Sequence, residues 1–290
     1  MDEQAIASSL ENLPGNIQAF KAIAEALDEI TSNEELSLHC IHDYHSFNHN
    51  GETFANLLYA HYADGDYRDA ILMFDIAAQK ASSLQDGRPL ETGNIELARA
   101  NIGGCVSTVD HRAMEWWQEE TMCLVNNLTS LTSATRRLFI KMNLLTEQLE
   151  RLSSIMFPNV HFHADIDSLK RMGLSYRDHT ETIIDHLSYL NDHATIDFSN
   201  DLPAHIIQLA ASKGIDISPE SPNTHANAQA MSRRKIDING TPLVCEWHSK
   251  ITYNKGRIHF HARPSTHHEN ILKVSKSKVI VGIIAEHLPT

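Results

Sequence analysis

The sequence predicts an α+β protein. An all-helical N-terminal domain carries a long heptad-patterned helix, and a small C-terminal domain of one strand, two helices and an antiparallel sheet follows. Three observations predict it. Up to Met156 the apolar residues recur at spacings of three and four, the period of a helix with one buried face. Beyond Asn159 they alternate in short runs separated by Gly, Pro, Asn and Ser, as in strands joined by turns. The charge also changes sign. Residues 1–232 hold 14 Lys and Arg against 33 Asp and Glu, whereas residues 233–290 hold 10 against 4, with six histidines. The net charge of −13 is therefore −19 on the first part and +6 on the second. A basic, His-rich tail on an acidic body points to a polyanionic partner for the tail.

The chain has 290 residues, 42% of them hydrophobic. That is enough for real cores, and it excludes collagen-like, disulfide-scaffold and disordered classes. No apolar run approaches the roughly 18 residues that span a bilayer, so no membrane partner is expected. The acidic start Met1-Asp2-Glu3 does not read as a signal peptide. Cys40, Cys105, Cys123 and Cys245 are isolated, without CxxC spacing, and make the cytoplasm the expected location.

In chain order, Ile17, Phe20, Ile23, Ala24, Leu27 and Ile30 mark an amphipathic helix over 16–31. His39, His42, His45 and His49 follow at spacings that could line one side of a helix. Imidazole is a common zinc ligand, but no Cys or carboxylate set completes a pattern, so packing and capping roles are expected and no metal site is assigned. Residues 54–82 read as two helices broken at Gly65-Asp66, with Phe74 between the small Ala70 and Ala77. This pair resembles one tetratricopeptide repeat, and a weaker copy starts at Ile102-Gly103 and reaches Trp117. That resemblance implies a helical-hairpin domain over 1–112 that binds a protein partner.

Residues 113–157 are expected to form one long helix. Positions 124, 128, 131, 135, 138, 142, 145, 149, 152 and 156 are all Leu or Met except Thr135, an a/d seam suited to another long helix. Homo-oligomerisation through 113–156 is expected on that basis. The helix must stop before Pro158.

The third domain, 158–290, starts with a strand over 160–166, a short helix over 167–172 and a helix over 177–193. A long loop over 213–232 separates these from strands at 232–238, 243–251, 257–262 and 278–285. A two-residue loop at Asn254-Lys255 would pair Ser249 with Phe260, Lys250 with His259 and His248 with His261. One face of this hairpin is then apolar. The other gathers His248, Lys250, Arg257, His259 and His261. Arg and Lys suit phosphate and its extra transition-state charge, and a pair of histidines suits proton transfer near neutral pH.

The order strand–helix–helix–strands is similar to that of the RelE/ParE toxin superfamily. Arg257-Ile258-His259-Phe260 and the ending Val279–His287 carry the likeness, together with Cys245–Lys250 and His287–Thr290, which resemble an uncharacterised C-terminal domain of bacterial defence-type proteins. The resemblance implies RNA as a partner and catalytic roles for Lys250, Arg257 and His287, extended to His248 and His259. Arg233, Arg234, Lys255 and His261 are expected to touch the nucleic acid. The expected function is a bacterial toxin or anti-phage defence protein. Its RelE-like domain would cleave RNA by metal-independent acid–base chemistry, without a cofactor, under control of the acidic N-terminal part or of an antitoxin. The alternative is a non-catalytic binding or scaffold subunit of a defence complex. Ser218-Pro219-Glu220-Ser221 precedes the basic strands and could contribute Glu220 to the site, but a capped turn is the expected reading, and His267-His268 is read as a solvated connection. No phosphate-binding glycine loop, GxSxG or HExxH is present.

Overall fold

Helix formation begins where Asp2 accepts a hydrogen bond from the Ala5 amide and caps α1 (Glu3–Leu10). The computed structural model describes residues 1–40, 43–83, 103–115, 117–118, 120, 122–199, 202–263, 266 and 268–290. The chain divides into two units, Met1–Leu138 and Phe139–Thr290.

In the first unit α2 (Leu13–Ser32) buries Phe20, Ile23, Ala24, Leu27 and Ile30, the stripe that its spacing predicts. The unit is not all-helical. β1 (His39–Cys40) precedes the antiparallel pair β2 (Asn48–His49) and β3 (Glu52–Thr53). Next come α3 (Phe54–Tyr59) and α4 (Gly65–Ala78), where Phe74 lies 5.1 Å from Phe20 and 5.9 Å from Phe54, ring to ring. β4 (Ser82–Ser83) pairs parallel with β1. The second helical copy expected from residue 102 to 117 is replaced at Gly104–Val106 by strand β5, which pairs parallel with β6 (Cys123–Val125). The four early histidines do not share a helix. His39 lies in β1, His45 in a 3-10 turn over Tyr44–Ser46 and His49 in β2, and His42 lies outside the described residues.

The single helix expected over 113–157 is also corrected. β6 occupies part of it, and the helical residues described fall in two helices, α5 (Leu128–Lys141) and α6 (Thr146–Met156). The break has a local cause. Asn143 takes the left-handed conformation (φ 48°), the Leu144 amide reaches back to the Phe139 carbonyl, and the Asn143 amide to that of Ile140. That is a Schellman C-cap, and it ends α5. Gln148 then accepts from the Leu145 amide to start α6. Leu128, Met142 and Leu145 of the heptad seam are left exposed.

In the second unit β7 (Val160–Phe162) is followed by a 3-10 turn over Ile166–Arg171 and by α7 (Thr180–Asp192). Two short helices, α8 (Ala194–Asp197) and α9 (Pro203–Ala211), lead into β8 (Ile217–Pro219). The stretch expected as a loop over 213–232 thus carries β8 and two more helices, α10 (Pro222–Ala226) and α11 (Ala228–Ser232). Ser221 caps one and Asn227 the other, and Pro222 occupies the first turn of α10. The strand expected over 243–251 is broken at Cys245-Glu246. β9 (Lys235–Ile238) and β10 (Thr241–Val244) form a separate hairpin, and β11 (Trp247–Lys250) enters the main sheet. With β12 (Arg257–His261), α12 (Glu269–Ser275) and β13 (Val279–Ala285), the sheet order is β7-β13-β12-β11-β8. All its pairings are antiparallel except β7 with β13.

Both sheet faces are covered. On one, Phe198 packs against Trp247 and Phe260 at 4.8 and 5.6 Å, and His186 of α7 contacts Ser249. A second cluster of Ile236, Ile238, Leu243, Cys245, Ile271 and Ile280 joins the β9–β10 hairpin and α12 to β13. Gly282 sits in a bulge of β13, where a Cβ would stand 2.3 Å from Cys245 Sγ. Only glycine leaves room there for the Cys245 side chain.

Candidate functional site

The hairpin β11–β12 keeps the expected face alternation but not the expected register. His248 pairs with His259, Lys250 with Arg257 and Ser249 with Ile258, a shift of two residues. A two-residue shift leaves each side chain on its own face and changes only its cross-strand neighbour. The cause is Arg257. Its guanidinium, 5% exposed, donates to the carbonyls of Thr252, Tyr253, Lys255 and Gly256 and so holds a wider turn. The turn closes with Thr252 Oγ1 accepting from the Lys255 amide, and Tyr253 stands 95% exposed at its tip.

The register brings His248 and His259 side by side, ring centroids 5.2 Å apart. β8 supplies the third side, since His248 lies opposite Ser218. Glu220, two residues beyond, turns its carboxylate to both rings. Its Oε1 stands 3.3 Å from His248 Nδ1, 3.5 Å from His259 Nδ1 and 2.7 Å from Arg234 Nε. Arg234 also donates to the Ala230 and Pro289 carbonyls, the second of which folds the chain end towards this cluster. Ser218 Oγ lies 3.2 Å from His248 Nε2.

Electrostatics divide the two rings. Burial, the neighbouring His248 and Arg234 push His259 down to about 3, so it is neutral at pH 7. Burial alone would raise Glu220, but the close approach and charge of His248 and Arg234 outweigh it and hold the carboxyl at about 2. The cluster therefore contains one carboxylate, one guanidinium and a neutral buried imidazole, beside His248, which is the partly open member.

The basic residues nominated from the sequence are brought together only in part. Lys250 pairs with Asp216 at 3.0 Å and Lys255 with Glu286 at 3.3 Å. Arg257 is spent on turn carbonyls, and Arg234 is a fully buried partner of Glu220 rather than a nucleic-acid contact. His261 lies 3.0 Å from Thr266 Oγ1 and 3.3 Å from the Val244 carbonyl, and burial lowers its basicity. Arg233 and His287 are exposed. Glu220, read from the sequence as part of a turn, is instead the centre of the cluster. Glu220 lies one residue past the end of β8, so strand alternation alone does not place it.

Among the described residues, no helix is long and apolar enough to cross a membrane. Compared with protein-family models, curated proteins and solved structures, the chain matches none of them.

Proposed function

We propose that the C-terminal unit is an endoribonuclease of a bacterial toxin or anti-phage defence protein, cutting RNA by metal-independent acid–base chemistry. The observation that carries this reading is the imidazole of His248, held between Ser218 Oγ at 3.2 Å and the Glu220 carboxylate at 3.3 Å. A carboxylate beside one ring nitrogen orients the imidazole by its charge, which suits a general base. His248 takes the proton of the RNA 2′-hydroxyl, the 2′ oxygen attacks phosphorus, and the 5′ oxygen departs with a proton supplied by an acid. A 2′,3′-cyclic phosphate and a 5′-hydroxyl result. The exposed His287 is assigned the acid role, because His259, lowered to about 3, is neutral at pH 7 and too weak an acid in that form. Arg233, Lys250 and Lys255 line the path of the phosphates in this reading, and the acidic N-terminal part restrains the basic one. Arg257 is reassigned from catalysis to holding the turn.

Purified chain incubated with total RNA in EDTA should cleave it, and His248→Ala should remove that cleavage. Absence of cleavage in folded wild-type protein would end this reading. The non-catalytic reading, a binding or scaffold subunit, draws on one observation: Arg234, Arg257, Lys250 and Lys255 are all engaged within the chain. Salt-sensitive RNA binding without cutting would favour it.

A further inference from the structure

The polar atoms at the centre of the C-terminal unit are not satisfied by one another. Glu220 Oε1, His248 Nδ1 and both ring nitrogens of His259 are buried, and none makes a hydrogen bond among the described residues. Even Arg234 Nε, 2.7 Å from the carboxylate, is a charge contact whose N–H is not aligned for a hydrogen bond. Buried donors and acceptors left unmatched are costly, and a convergent set of them calls for an occupant.

The geometry says which kind. Glu220, His248 and His259 each offer one ligand atom, all within 4.8 Å of one another. Four donors at ~2.0–2.1 Å around a tetrahedral ion stand about 3.3 Å apart. The carboxylate oxygen lies 3.3 Å from one imidazole nitrogen and 3.5 Å from the other. Two imidazoles and one carboxylate select a zinc-like transition ion, since magnesium and calcium prefer all-oxygen shells. The supporting contacts are also in place. The other nitrogen of His248 faces Ser218 Oγ, which fixes its ring, and the charge of Arg234 steadies the carboxylate.

We propose that Glu220, His248 and His259 form a binding site for a single divalent transition-metal ion of the zinc type, with a fourth position left to water. The ion takes the His248 Nδ1 that faces Glu220 and immobilises the ring. On the nuclease reading, on which only this consequence rests, zinc is therefore an inhibitor of cleavage.

Binding is measured without RNA, so the two readings fail separately. The full chain is titrated with Zn²⁺ and Co²⁺ by calorimetry, with Mg²⁺ as control, and the visible spectrum of the Co²⁺ form is recorded. One ion per chain is expected, with the intense visible band of tetrahedral cobalt. His248→Gln and His259→Gln should each weaken binding by about 100-fold, and Ser218→Ala, which leaves every ligand in place, by about 10-fold. Circular dichroism identifies variants that stay folded. Folded wild-type protein that binds neither Zn²⁺ nor Co²⁺ at millimolar concentration would overturn the proposal. So would undiminished binding in the folded variants, which would put the ion on others of the chain's 19 histidines.

Discussion

Each unit of this protein buries a carboxylate beside imidazole side chains, and Asp75 and Glu220 differ in how well they are matched. In the N-terminal unit Asp75 accepts from Tyr44 at 2.5 Å, Tyr59 at 2.6 Å and Gln79 at 2.7 Å, with His45 at 2.9 Å. Burial pushes Asp75 up, but the bonds from Tyr44, Tyr59 and His45 outweigh it and hold the carboxyl below its ordinary value. In the C-terminal unit Glu220 has one close cation and two imidazoles at 3.3–3.5 Å whose nearest nitrogens make no hydrogen bond. The first arrangement is a staple, in which the carboxylate has a hydrogen-bond partner on every side that the structure describes. The second is stabilised by charge but geometrically unfinished. Unfinished polar clusters mark sites, because only an incoming group completes them.

The comparison can be broken by removing either carboxylate. Glu220→Ala leaves the Arg234 guanidinium buried without a counter-charge and should cost the C-terminal unit about 3–5 kcal/mol in denaturant unfolding. Arg257→Ala releases four turn carbonyls and should cost the same unit about 3 kcal/mol, seen as faster amide exchange over residues 251–257. Asp75→Asn turns an acceptor into a partial donor opposite four donors, costing about 2–3 kcal/mol and confined to the N-terminal unit in the same exchange experiment.

Acid should separate the units. His259 and His186, buried neutral, are pushed from 6.5 to about 3 and about 4, so the unfolded chain binds their protons first. What these two rings contribute to the stability of the C-terminal unit is therefore full above pH 6.5. It falls as the pH drops below that, by about 1.4 kcal/mol per pH unit for each ring. Glu220 adds to the loss below pH 4.5. Asp75, depressed from 3.8, contributes stability that is lost only below that pH. A pH series followed by exchange should show the C-terminal unit opening first. The smallest effect expected is Tyr59→Phe, which removes one of four donors at a half-open edge and costs about 1 kcal/mol.

Period and capping made some of the fold legible. The stripe of α2, the break before α4 and the face alternation of β11 and β12 follow directly from residue spacing. The heptad pattern misled because nine Leu and Met positions look continuous, while Asn143 stops the helix with a left-handed residue and a Schellman cap. Ser221-Pro222 and Asn227 are legible as helix starts inside what read as a loop. The site was legible in its residue types but not in its assembly. Hydrophobic alternation cannot distinguish registers that differ by two, and the turn held by Arg257 decided between His248–His259 and His248–His261. The pairing of Glu220 with Arg234 was not legible, because tertiary packing alone makes it.

The most direct test of the account is RNA cleavage by the full chain in EDTA, comparing wild type with His248→Ala and with Lys250→Ala. The account predicts cyclic-phosphate products from wild type, a loss of at least about 100-fold in His248→Ala, and a smaller loss in Lys250→Ala. Unchanged cleavage in folded His248→Ala would contradict it.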